Sequence, residues 1–119
     1  MSKPVRLSPQ GPSGWKDAPN VTLETFNLVG GDPTGLDHIY YANPETKVKA
    51  GLWRSNAYSE YYEDYPVDEF MVVLDGEVTL EGEGFRDTFR KGDAFFVPKG
   101  FKGTWHQPGP LLKFYVIIG

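Results

Sequence analysis

Two short apolar runs, each boxed by turn residues, limit what this chain can become. The first is Asp68-Glu69-Phe70-Met71-Val72-Val73-Leu74-Asp75-Gly76, in which carboxylates open a run that stops at a glycine. The second is Gly92-Asp93-Ala94-Phe95-Phe96-Val97-Pro98-Lys99-Gly100, entered through Gly-Asp and left through Pro-Lys-Gly. Proline presets φ near about −65° and glycine accepts φ > 0, so the second run is a short strand fixed at both ends. The first reads as a strand buried on both faces that ends at a turn. A carboxylate pinned to such a strand needs a reason.

The rest of the chain follows the same grammar. Val78 and Leu80 alternate with Glu77, Thr79 and Glu81, and Gly82-Glu83-Gly84 turns the chain back into Phe85 to Phe89, which predicts a hairpin. A final strand runs from Leu111 to Ile118. Upstream, Val21 to Val29 reads as one strand closed by Gly30-Gly31-Asp32-Pro33, and Ile39 to Tyr41 as a short second strand preceded by His38, a surface hydrogen-bonding residue. Lys47 to Trp53 alternates until Gly51, whose place inside a strand suggests a bulge or a close backbone approach. Tyr58, Glu60 and Tyr62 share one strand face and Ser59, Tyr61 and Glu63 the other, and one of these faces looks inward. No helical period of useful length occurs. With 15% aromatic residues, 14 glycines and 10 prolines, the chain reads as an all-β, single-domain barrel or sandwich. Residues 1–20, with four prolines and little to bury, form an extended arm that is solvated or docks Trp15 on its own barrel or a partner; residues 21–119 form the barrel domain.

The spacing of the two runs resembles the cupin motifs. Glu69 followed by Gly76 is similar to the end of the first motif, and Gly92, Pro98 and Gly100 to the start of the second. From Gly51 to Tyr115 the chain resembles the small single-domain cupins related to ureidoglycine aminohydrolase and to the ethanolamine-utilisation cupins. The shared residues are Gly51 with Trp53, Trp105, and Lys113 with Tyr115. The resemblance implies a double-stranded β-helix, the jelly-roll barrel.

It also implies a metal site of three histidines and one glutamate, and here the chain departs from the pattern. Glu69 supplies the carboxylate, but the paired imidazoles fall on Glu63 and Tyr65 or on Tyr62 and Asp64, and the last on Gly103. No cofactor is therefore expected. If a divalent ion (Mn, Fe, Zn or Ni) binds, Glu63, Asp64, Glu69 and His106 are the candidates, although His106 lies three residues beyond the matching position, which reverses its strand face.

A metal-free pocket is the leading reading. Trp53, Tyr62, Trp105 and Tyr115 give a barrel mouth aromatic walls with hydrogen-bonding handles, and Glu69 gives one fixed acceptor for a small polar or cationic molecule. A desolvated Glu69 would have a raised pKa and is the best candidate for an acid or base. The structural alternatives are a Glu69 satisfied by tyrosine hydroxyls or by Lys113, and tryptophans that are plain core.

Composition removes other classes. Net charge −4 argues against nucleic-acid binding, and zero cysteines exclude thiolate chemistry and fit a cytoplasmic protein. No apolar stretch reaches a membrane span, so no membrane partner is expected. Paired carboxylates Glu60 and Glu63, or Glu81 and Glu83, could mimic a glycosidase pair, but charge-rich strand edges and turns are commoner. The chain is thus expected to be a small-molecule-binding cupin forming a homodimer through sheet edges and the arm. The alternatives are a metal-dependent hydrolase or lyase acting on a small nitrogenous or sugar-like metabolite, and a non-catalytic structural or regulatory dimer.

Overall fold

Turn chemistry sets the strand boundaries. Gly76, Gly84 and Gly92 all take positive φ, and the Asp93 carboxylate accepts the Arg90 N–H at 2.8 Å to lock the turn into the second boxed run. The computed structural model describes residues 3–12 and 20–119. Among them it contains eleven strands and no helix.

The strands are β1 (Val21–Thr22), β2 (Leu28–Gly31), β3 (Thr34–Asn43), β4 (Val48–Ser55), β5 (Tyr58–Tyr62), β6 (Asp68–Asp75), β7 (Glu77–Gly82), β8 (Phe85–Arg90), β9 (Ala94–Val97), β10 (Gly103–His106) and β11 (Leu111–Ile118). They form two antiparallel sheets, a six-stranded one ordered β1-β3-β4-β11-β6-β9 and a five-stranded one ordered β2-β5-β10-β7-β8. Met71, Val73, Phe95, Val97 and Leu111 from the first sheet meet Val78, Leu80 and Trp105 from the second. Phe89 stacks on Phe95 with centroids 4.0 Å apart. This is the expected jelly-roll barrel, with the predicted β7–β8 hairpin in register from Glu77↔Arg90 to Gly82↔Phe85.

Three local expectations change. Val21 to Val29 is not one strand: β1 pairs with β3 in one sheet and β2 with β5 in the other, and the residues between them cross the barrel end. The backbone N–H of Phe26 is held there by the Glu60 carboxylate. The strand expected at Ile39–Tyr41 is a ten-residue β3, because it pairs along nearly all of β4 with a bulge between Ile39 and Tyr41. Finally, β6 is not buried on both faces. Glu69, Met71 and Val73 point inward, whereas Phe70 remains 40% exposed and its cross-strand partner Phe96 52% exposed.

Gly51 makes a close approach. A Cβ there would meet the His38 carbonyl oxygen at 2.4 Å and the Tyr115 hydroxyl at 2.6 Å, so only glycine lets the Tyr115 ring cross β4. The described part of the arm lies on its own chain, where the Tyr40 hydroxyl donates to the Ser8 carbonyl at 3.1 Å. The expected docking of Trp15 lies outside the described residues.

Candidate ligand-binding site

The inner faces of both sheets converge on a cavity of about 270 Å³. Trp53, Tyr62, Glu69, Trp105 and Tyr115, the five residues expected at a pocket, all line it. Glu24, Phe26 and Lys49, all exposed, form its mouth together with Asp37, whose carboxylate end is turned toward Tyr115 and partly shielded.

Strand pairing brings these side chains together. Asp37, Trp53 and Lys113 are successive cross-strand neighbours on β3, β4 and β11. On β11, Lys113 pairs with Val73, four residues along β6 from Glu69, and its stem spans the gap. Its Nζ lies 3.2 Å from Glu69 Oε2 and 3.0 Å from Met71 Sδ. It also stands 4.7 Å from the ring centroids of both Trp53 and Trp105. The two indoles are nearly perpendicular, 6.5 Å apart, so they enclose the ammonium from two sides.

Glu69 is fully engaged. Its second oxygen accepts the Tyr65 hydroxyl at 2.7 Å, and the carboxylate is 6% exposed. This is the carboxylate satisfied by a tyrosine and Lys113 that the sequence offered as an alternative, placed inside the cavity rather than away from it. Trp105 is likewise both wall and core: it is buried, and its indole N–H donates to Gln107 at 2.8 Å.

A second acid, which the sequence offered only as half of a possible carboxylate pair, is also buried. Glu60, 1% exposed, accepts the Tyr62 hydroxyl at 2.9 Å and the Phe26 N–H, so one carboxylate fixes both a wall and the mouth. At the mouth, Tyr115 donates to Asp37 at 2.5 Å. Partial burial pushes the Asp37 carboxyl up from its usual range, against the opposing effects of the Tyr115 hydrogen bond and Lys113. Burial also raises the phenols of Tyr58, Tyr62, Tyr65 and Tyr115, assisted by the nearby carboxylates.

A family model described as the EutQ-like cupin domain matches residues 42–115. The chain belongs to that family. Solved cupins share the fold at low identity. The EutQ protein of Clostridium difficile is 20% identical with a TM-score of 0.61, covering 71% of this chain and 68% of its own. A putative ethanolamine utilization protein Q from Salmonella typhimurium is 23% identical with a TM-score of 0.59, over 71% and 68%. A protein of unknown function from Pseudomonas syringae is 22% identical with a TM-score of 0.75, and this chain spans 84% of itself but 44% of that protein. No curated protein matches.

The cupin metal set does not assemble here. Glu63 is exposed just past the end of β5, where it accepts the Tyr61 hydroxyl at 2.8 Å and pairs with Lys102 at 3.3 Å; the Tyr61 hydrogen bond first, and then Lys102, hold its carboxyl below the usual range. Asp64 is exposed, and His106 points outward from β10 to bond Ser59. Only Glu69 faces the interior. At Gly103, where the last imidazole would fall, a Cβ would meet the Glu81 carbonyl at 2.4 Å and the Phe101 ring at 2.7 Å. Among the described residues no group of three His, Asp or Glu side chains is placed to hold an ion. The residues present do not fit a cupin metal. Nor do Glu60 and Glu63 form a glycosidase pair, since one faces the interior and the other solvent.

The sequence offered Lys113, the lone charge in an apolar final strand, as a partner of Glu69; the burial of Glu60 was missed, although Glu60 shares strand parity with Tyr62. Tyr65 could not be assigned, because the turn at Pro66 breaks parity between β5 and β6.

Proposed function

We propose that this cupin binds a small polar organic molecule in the cavity bounded by Trp53, Tyr62, Glu69, Trp105 and Tyr115. One observation carries the reading: aromatic walls and a fixed, internally paired charge share a cavity of about 270 Å³ open to solvent at a mouth of exposed residues. A solid, aromatic-filled barrel would leave no such space, and predominantly aromatic pockets with few polar groups are the usual form of a small-molecule site. The protein acts as a homodimer, and its chemistry, if it transforms its ligand, runs on the cavity's own acids and phenols.

Intrinsic fluorescence tests the reading, because Trp53 and Trp105 both line the cavity. Titration of small polar metabolites into the protein is expected to give a saturable emission change with at least one compound class. A panel spanning amides, polyols, amino compounds and hydroxy acids that leaves the emission unchanged would overturn it.

A further inference from the structure

Lys113 stands against Glu69, the one residue of the cupin ligand pattern that this chain keeps. We infer that the Lys113 ammonium is the resident cation of this barrel, standing at Glu69 in place of a metal and filling the box made by Trp53, Trp105 and Met71. Four contacts define the position: Glu69 Oε2 at 3.2 Å, Met71 Sδ at 3.0 Å and two indole centroids at 4.7 Å. Lys113 is 5% exposed, and a charge so buried is held only by paired charge and hydrogen bonds, which this set supplies. The ring faces add electrostatic attraction that strengthens on desolvation. A divalent ion at Glu69 would have to displace both Lys113 and Tyr65, the two donors on its oxygens. No imidazole reaches that point to compensate it.

The cation slot is therefore filled, and an external ammonium group gains nothing from the tryptophan pair. What remains open is donor capacity. Lys113 carries three N–H donors, of which Glu69 and Met71 engage two. Tyr58 is 6% exposed and lines the same cavity, and among the described residues no group hydrogen-bonds its hydroxyl. Both favour a ligand that presents an acceptor oxygen or nitrogen to the interior. That statement about the ligand rests on the function proposed above; the assignment of Lys113 as the resident cation does not.

Melting temperature and elemental analysis test the assignment without a known ligand. The wild type, incubated with manganese, iron, zinc or nickel and desalted, is expected to retain no stoichiometric ion. Its melting temperature is expected to be indifferent to chelator and to propylammonium. Lys113→Ala is expected to melt about 10 °C lower or more, because Glu69 is left buried and unpaired. Propylammonium, which can re-enter the vacated box, is expected to restore part of that loss in the variant alone. Stoichiometric metal in the wild type that is lost in Glu69→Gln would overturn the assignment, as would equal stabilisation of wild type and Lys113→Ala by propylammonium. If Lys113→Ala does not fold, the metal measurement on wild type and Glu69→Gln decides by itself. A protein that passes these tests but binds nothing in the fluorescence titration keeps its resident cation and loses the proposed function.

Discussion

Tyr58, Tyr62, Tyr65 and Tyr115 all hold their protons more tightly in the fold than in the unfolded chain. Burial of the phenol is the main cause; the nearby Glu60, Glu69 or Asp37 carboxylates add to it. Above the ordinary phenol pKa of 10.0 the unfolded chain sheds protons that the fold keeps, so stability falls as pH rises through that value. One unit above it, the loss is about 1.4 kcal/mol for each of Tyr58, Tyr62 and Tyr65, and smaller for Tyr115 near the mouth. Ultraviolet titration is expected to show these phenolates appearing together in one cooperative step that coincides with unfolding. Gradual ionisation of more than three of the seven tyrosines while the protein stays folded would contradict their burial. Residue by residue, the sequence exposed the cavity unevenly. Trp53, Glu69, Trp105 and Tyr115 were legible because fixed motif spacing ties them to strands. Lys113 was legible through the same spacing and as a possible partner of Glu69, whereas the burial of Glu60 was not, because a buried charge looks like any other charge until its partner is known.

Strand faces carry the next consequence. In β6 and β9 the outward residues Phe70 and Phe96 are cross-strand partners and both stay exposed; Val72, Phe114 and Val116, which continue the same face, are only half-buried. An apolar face of this kind, ending at the open edge of β9, suits pairing with a second copy. Light scattering is expected to give twice the 13.4 kDa chain mass for the wild type and a monomer for Phe70→Glu combined with Phe96→Glu. A monomeric wild type at micromolar concentration would contradict a homodimer built on this face. The boxed strands were readable from the sequence because glycine and proline fix their ends. Val21 to Val29 was not, since the tether that splits it, Phe26 to Glu60, joins residues far apart in the chain.

At the scale of the whole molecule, the two sheets pack tightly around Val73, Val78, Leu80 and Phe95 and leave a cavity where Lys113 meets Glu69. The fold class followed from turn-bounded strands, and the family model that matches residues 42–115 agrees with it. Whether the barrel was hollow was not legible, because a cavity depends on how side chains from both sheets meet. The most direct test of the account is a thermal-shift screen of small polar metabolites on the wild type and on Trp53→Ala. The account predicts a compound that raises the wild-type melting temperature saturably, by about 2.7 kcal/mol of stability at 100 times its dissociation constant, and has much less effect on the variant. An equal rise in both proteins would place the ligand elsewhere, and no rise with any compound would contradict a binding function for the cavity.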